Sequence, residues 1–180
     1  MARHDGSAHA AMRNPLTFAW LAVAGVVVVL DLWTKYLAST HLALYEPQAV
    51  LPWLNWRLAH NPGAAFSFLA GAGGWQRWFF TVLAIAVTGF LTVWLFRTRR
   101  EERLVPLALV LVMGGAIGNA IDRLRFGYVV DFIDVHARGW HWPAFNVADS
   151  AIVCGIILLL LDAFREFLAE RKARSGDQSS

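Results

Sequence analysis

The sequence predicts an all-α membrane protein, with four transmembrane helices in one domain and a small β-sheet formed by the loops on one side. The 180-residue chain is 57% hydrophobic and only 16% charged, whereas soluble domains have about a quarter of their residues charged. A helix needs about 20 apolar residues to cross the roughly 30 Å hydrocarbon core. Four stretches suit this length: Asn14–Leu30, Trp78–Phe96, Leu104–Ile121 and Trp142–Leu161, the last interrupted only by Asp149.

The first apolar stretch is interpreted as a retained helix and not as a cleavable signal peptide. It follows the basic residues Arg3 and Arg13, as a signal peptide would. However, it is long for the apolar region of a signal peptide, and no small-residue cleavage site follows it. The residues that follow are Asp31-Leu-Trp-Thr-Lys35.

Lys and Arg residues predict the orientation of the helices. With both termini cytoplasmic, ten of the sixteen lie in inner segments and five in outer loops, with Arg77 at the outer end of the second span. Because cytoplasmic loops carry the excess of basic residues, this orientation is favoured. Residues 1–13 and 166–180 are then cytoplasmic tails on either side of a membrane domain of residues 14–165. The net charge of +3 reflects topology and does not indicate a nucleic-acid partner.

The two outer loops predict a small sheet at the membrane surface. In the first loop, Val50–Leu58 has an extended, aromatic character, and Asn61-Pro62-Gly63 is a turn signal. In the second loop, Gly127–Val135 is rich in β-branched and aromatic residues. Unpaired backbone cannot face lipid, so this sheet must lie at the interface or cover a cavity.

Acidic residues at the outer ends of the spans are the candidates for chemistry, because ionisable groups at this depth are costly and by default mark function. These acidic residues are Asp31, Asp122, Asp131, Asp134 and Asp149. Asp31 lies four residues before Lys35 on the same helix face, and the two can form an ion pair that is either structural or functional.

One face of the third span combines small and polar residues. Gly115, Gly118, Asn119 and Asp122 follow the spacing i, i+3, i+4, i+7, which places them on one side of a helix. A packing seam explains the glycines, because small residues let helix backbones approach closely. It does not explain Asn119 and Asp122.

Asp131 and Asp149 form the strongest candidate catalytic pair. Two carboxylates that share one proton can activate water and polarise a peptide carbonyl without another group. Asn146 is a good N-cap for the fourth helix, so a capping role is the alternative for Asp149. His136 and His141 are five residues apart, which does not favour a metal site.

The single cysteine, Cys154, is expected to be a small buried packing residue in the fourth span. One cysteine offers neither a disulfide framework nor a multi-cysteine metal site.

Five motifs resemble those of lipoprotein signal peptidase, also called signal peptidase II. They occur in the expected order within about residues 16–163. They are Asp31–Lys35, Asn61–Phe66, Gly114–Arg123, Val129–Phe132 and Phe145–Ser150.

The resemblance implies four transmembrane helices with an extracytoplasmic β-cradle and a short surface helix that starts near Gly63-Ala-Ala-Phe66. It implies an aspartyl endopeptidase of the bacterial cytoplasmic (inner) membrane with its active site at the outer face. The substrate would be a prolipoprotein carrying a diacylglyceryl group, cut just before the lipidated cysteine. The other expected partners are membrane lipid and globomycin-type inhibitors; no metal, cofactor or nucleic acid is expected.

By motif position, the resemblance assigns the catalytic roles to Asp131 and Asp149. We expect Asp149 to be the anion, because it lies in the first turn of a helix, and Asp131 to hold the proton. The residues expected to bind substrate or support the aspartates are Asp31, Lys35, Asn61, Gly63, Gly115, Asn119, Asp122, Arg123 and Asn146.

Two other functional classes stay open at this point. A proton-coupled transporter could use the same aspartates as a relay, although transport sites usually lie near the midplane of the membrane. An assembly or scaffold protein is the third interpretation, and it leaves the acidic residues unexplained.

Overall fold

Four long apolar helices dominate the computed structural model, which describes residues 16–63, 73–99 and 101–177. Each is long and apolar enough to cross a membrane, and together with a small antiparallel sheet they confirm the predicted fold class. The helices are α1 Thr17–His41, α2 Trp75–Leu95, α3 Leu104–Phe126 and α4 Val147–Asp177.

Helix α3 lies at the centre of the bundle and packs against α1, α2 and α4. Half of its apolar span is buried, compared with 17–22% in the other three helices. The outer helices instead expose many large apolar side chains, as lipid-facing helices do. The core around α3 includes Ala24, Leu91, Leu95, Leu109 and Val110.

Glycines let the backbones of neighbouring helices approach α3 closely. A Cβ on Gly114 would lie 2.7 Å from the Cβ of Val27 in α1, and one on Gly115 would collide with the Ala148 carbonyl oxygen in α4. A Cβ on Gly118 would collide with the Asp31 carboxylate. The small-residue face predicted for the third span therefore packs against two helices, α1 and α4.

The sheet lies at one end of the bundle and has the antiparallel order β1-β2-β3-β4. Its inner face packs on α1, where Leu58, Val130 and Phe132 surround Ala38. The strands are β1 Gln48–Leu51, β2 Leu54–Asn61, β3 Val129–Ala137 and β4 Trp140–His141.

The extended stretch Val50–Leu58 is two strands joined by a tight turn at Pro52-Trp53. Proline has no backbone N–H for a strand ladder and suits a turn, which explains the interruption.

Helix α4 begins later than the predicted fourth span and continues beyond it. Residues 142–146 are not helical: Phe145 forms a bridge with Ile133 of the sheet, and Pro143 lies in this segment. Helix α4 then runs from Val147 to Asp177. The added segment is rich in Ala, Leu, Glu, Lys and Arg, which all favour helix.

Two further expectations have different outcomes. Cys154 is exposed on α4, so the prediction of a buried packing residue is wrong. The surface helix expected from Gly63-Ala-Ala-Phe66 onward falls on residues 64–72, outside the described residues.

We expect Gly115→Ala to lower the melting temperature of the purified protein, because the new Cβ would meet the rigid backbone of α4. Overpacking of this kind costs about 1–3 kcal/mol. The matched control is Gly89→Ala in α2, where a Cβ meets nothing within 4 Å; there, alanine should be neutral or slightly stabilising. Equal melting temperatures for the two variants would contradict the close α3–α4 contact.

Candidate active site

Asp131 and Asp149 meet where the sheet joins the helices, and one residue, Asn146, contacts both. The Asn146 Nδ2 donates to Asp131 Oδ1 at 2.8 Å. Its backbone N–H donates to Asp149 Oδ2 at 3.2 Å, and its Oδ1 accepts from the Asp149 backbone N–H at 2.9 Å. A strand residue and a helix residue that lie 18 positions apart in the chain are thus joined through one side chain.

The reciprocal bonds between Asn146 and Asp149 form a capping box at the start of α4. The alternative role predicted for Asp149, helix capping, is therefore present. Capping uses only the Oδ2 atom of Asp149, because its Oδ1 atom accepts a hydrogen bond from Asn119 Nδ2 at 2.8 Å. Capping and a place in the aspartate pair are compatible for this residue.

Asp131 is almost fully buried, at 3% exposure, and both of its oxygens accept hydrogen bonds. Asn61 Nδ2 donates to Oδ2 at 3.0 Å, opposite the bond from Asn146. Burial, as the larger cause, and the neighbouring charge of Asp149, as the smaller one, raise the pKa of Asp131, while the hydrogen bonds from Asn61 and Asn146 act in the opposite direction. The resulting pKa is about 7. Asp131 can therefore hold a proton near neutral pH.

Two hydrogen bonds of Gly63 hold the turn at Asn61-Pro62-Gly63, one from its N–H and one to its carbonyl group. The Gly63 N–H donates to Asn61 Oδ1 at 3.0 Å, which is an Asx turn. Arg123 Nη2 donates to the Gly63 carbonyl at 2.9 Å, and its guanidinium lies over the Phe80 ring at 5.0 Å. This arrangement fixes the Asn61 amide so that its Nδ2 faces Asp131.

A buried cluster of four side chains lies beneath the aspartate pair; we call Lys35, Asp31, Asp122 and Asn119 the lysine cluster. Lys35 Nζ lies 2.7 Å from Asp31 Oδ2 and 2.9 Å from Asp122 Oδ2. It also donates to Asn119 Oδ1 at 2.9 Å. All four residues are at most 7% exposed, so the positive charge is neutralised without water.

The lysine cluster is connected to the backbone on both sides of the site. Asp31 Oδ1 accepts from the Ala148 N–H at 2.9 Å, and Asp122 Oδ2 accepts from the Val130 N–H at 3.1 Å. Gly115, in contrast, contacts the Ala148 backbone and offers no polar group to the site. Its role in the structure is packing.

Asp134 belongs to a second polar cluster, whose other members the sequence did not indicate: it is fully buried and paired with Asn55 and His141. Asn55 Nδ2 donates to Asp134 Oδ2 at 3.0 Å, and His141 Nδ1 lies 2.8 Å from Oδ1. Burial raises the pKa of Asp134, but the hydrogen bonds from His141 and Asn55 outweigh it, and the pKa lies below 3.8. Asn55 and Asp134 face each other across β2 and β3, a pairing that depends on strand register.

Within residues 16–63, 73–99 and 101–177, no three His, Cys, Asp or Glu side chains are arranged to hold a metal ion. His136 and His141 instead stack, with ring centroids 5.0 Å apart.

Comparison with known proteins places these residues in a family context. A family model described as Signal peptidase (SPase) II matches residues 23–165. The lipoprotein signal peptidase of Acinetobacter baumannii is 52% identical over 163 residues, 91% of this chain and 92% of the relative. That of Ralstonia nicotianae is 50% identical over 146 residues, 81% of this chain and 84% of the relative.

Solved structures are similar as well. One, described as a bacterial membrane enzyme structure by the in meso method, has a TM-score of 0.75 and 32% identity. The similarity covers 83% of this chain and 90% of that one.

We expect Asp134 to contribute to stability in a pH-dependent way. Since its pKa is lowered by folding, its stabilising contribution is complete above about pH 4 and is lost as the pH falls below that. The melting temperature of Asp134→Asn should therefore lie below that of the unsubstituted protein at pH 7, and the difference should shrink toward pH 3.

Asp134→Ala is the comparison for that variant, because it leaves buried Asn55 without an acceptor. An unsatisfied buried group costs about 1–3 kcal/mol, so Asp134→Ala should unfold at a lower temperature than Asp134→Asn. If the two substitutions were equally mild at every pH, the pairing with Asn55 would contribute nothing.

Proposed function

We propose, from the premise that this chain belongs to the signal peptidase II family, that it is an aspartyl endopeptidase acting on lipid-modified prolipoproteins. The family removes signal peptides from prolipoproteins. For this chain we propose Asp131 and Asp149 as the catalytic pair and cleavage just before the diacylglyceryl-modified cysteine. We also propose inhibition by globomycin-type compounds.

The observation that carries the proposal is the aspartate pair joined through Asn146. Aspartic proteases need two neighbouring carboxyls in different protonation states, one to accept a proton from water and one to donate to the substrate carbonyl. Burial keeps Asp131 able to hold a proton at neutral pH. Asp149 is half-buried in the first turn of α4, where unpaired N–H groups and the helix dipole favour an anion.

We assign the roles in the reaction from these two environments. Water attacks the carbonyl carbon of the scissile bond and gives one proton to Asp149, while protonated Asp131 donates a hydrogen bond to the carbonyl oxygen. The C–N bond then breaks as Asp149 passes that proton to the departing amine nitrogen. The products are a carboxyl group on the signal peptide and a free amine on the cysteine.

An apolar crevice beside the sheet suits a substrate that is partly lipid. It has a volume of about 450 Å³ and lies between α1 and the sheet. A crevice with these walls suits a hydrocarbon chain better than a polar peptide. Its lining residues are Thr34, Leu37, Ala38, His41, Leu42, Trp56 and Phe132.

A relay in a proton-coupled transporter is less well supported. The aspartates and the lysine cluster lie together at the sheet end of the bundle, whereas transport sites usually lie near the midplane between broken helices. The family match favours the peptidase over the transporter and over a scaffold protein.

We expect Asp131→Asn and Asp149→Asn each to lower turnover of a purified diacylglyceryl-prolipoprotein by roughly 1,000-fold or more, as for residues that act as one catalytic unit. The matched control is Asp134→Asn, on the same strand but outside the pair, which should keep most of its activity. Circular dichroism and melting temperature confirm that each variant is folded. An active, folded Asp149→Asn variant would exclude the proposed pair.

We propose that both termini are cytoplasmic and that the sheet and the aspartate pair lie on the outer side of the membrane. In a Cys154→Ala background, a cysteine at exposed Ala137 should react with a membrane-impermeant maleimide on intact cells. A cysteine at exposed Glu101, in the opposite loop, should react only after the cells are opened. The reverse labelling would place the pair on the wrong side for exported prolipoproteins.

A further inference from the structure

The ammonium of Lys35 has three polar partners inside the protein. It donates a hydrogen bond to Asn119 Oδ1 at 2.9 Å and forms ion pairs with Asp31 Oδ2 at 2.7 Å and Asp122 Oδ2 at 2.9 Å. Lys35 is 3% exposed, so water cannot replace any of these contacts. Within the described residues, none of the hydrogen bonds or ion pairs of Lys35 involves Asp131 or Asp149.

The two carboxylates beside Lys35 hold the backbone immediately before each proposed catalytic residue. Asp31 accepts from the N–H of Ala148, which precedes Asp149. Asp122 accepts from the N–H of Val130, which precedes Asp131. One buried cation therefore links the two backbone segments that carry the pair.

The contact with Asn119 has a second consequence, because a primary amide has a donor end and an acceptor end. Lys35 can only donate, so Asn119 must present Oδ1 to it. The Nδ2 end then faces Asp149 Oδ1, to which it donates at 2.8 Å. A reversed amide would place N–H groups against the ammonium and an oxygen against the carboxylate, both repulsive.

We propose that Lys35 is a positioning residue for the reaction, which orients the Asn119 amide so that Asp149 is held as a hydrogen-bonded anion. This proposal rests on the proposed function and assigns Lys35 a role beyond that of a structural ion pair. Asn146 Nδ2 also donates to Asn119 Oδ1, at the longer distance of 3.2 Å. Without the ammonium, this neutral donor alone holds the oxygen, so the Asn119 amide rotates more freely and its donor no longer points to Asp149 in every molecule. Water activation then slows although the substrate site is intact.

A double-mutant cycle tests this role: Lys35→Met, Asn119→Ala and the combined variant. Lys35→Met should lower kcat by roughly 10- to 100-fold, the range for losing a group that orients a reacting one, and should change KM much less. If Lys35 acts through Asn119, adding Lys35→Met to Asn119→Ala should cause almost no further loss of kcat. Losses that multiply in the combined variant, or an unchanged kcat in Lys35→Met, would overturn the proposal.

The control for loss of a positive charge is Arg125→Gln, an exposed position near the same end of α3, which should leave kcat and KM unchanged. Lys35→Met leaves two buried carboxylates without a cation, which is strongly destabilising. If it does not fold, the cycle is repeated with Asp122→Asn present in all members. Lys35 then keeps Asp31 as its counter-ion, and the Lys35→Met members leave only one carboxylate without a cation. The asparagine keeps an oxygen for the Val130 N–H group but carries no charge.

The outcomes separate the two proposals. An unsubstituted protein that does not cleave the lipidated substrate, or a folded and active Asp149→Asn variant, contradicts the proposed function itself. A cleaving protein in which the Lys35 and Asn119 losses multiply contradicts only the positioning role.

Discussion

Neutralising a lysine that has no access to water is the constraint on which the rest of this structure depends. An isolated buried charge costs several kcal/mol, so Lys35 requires Asp31 and Asp122 at contact distance. Those two carboxylates come from α1 and α3, and their remaining bonds reach Ala148 in α4 and Val130 in β3. Four elements therefore converge on one ammonium, and the aspartate pair lies directly above it.

This convergence is possible only because α3 lacks side chains where its neighbours approach. Any Cβ at Gly118 would displace the Asp31 carboxylate, and one at Gly115 would displace the backbone of α4 next to Asp149. Packing and electrostatics are thus coupled, since the same glycines that allow helix contact also allow the charges to meet. The lysine cluster and the aspartate pair lie on helices and strands rather than on loops, which favours fixed geometry.

Three asparagines surround the aspartate pair, and each has its amide oriented by a group that can only donate. Lys35 orients Asn119, the Gly63 N–H orients Asn61, and the Asp149 N–H orients Asn146. Each asparagine therefore turns its NH₂ group toward a carboxylate of the aspartate pair. Such a network holds the two carboxyl groups in place.

Composition and apolar length determined the membrane class and the four helices, because both follow from the local chemistry of consecutive residues. Motif spacing also indicated the residues of the lysine cluster and the aspartate pair. The tertiary structure decided which of them touch: the N–H of Ala148 meets Asp31 across 117 positions of the chain, and no periodicity encodes that contact. The pairing of Asn55 with Asp134 likewise required the register of β2 on β3. Helix periodicity is a local property, whereas the partner of a buried charge is chosen by the packing of distant segments.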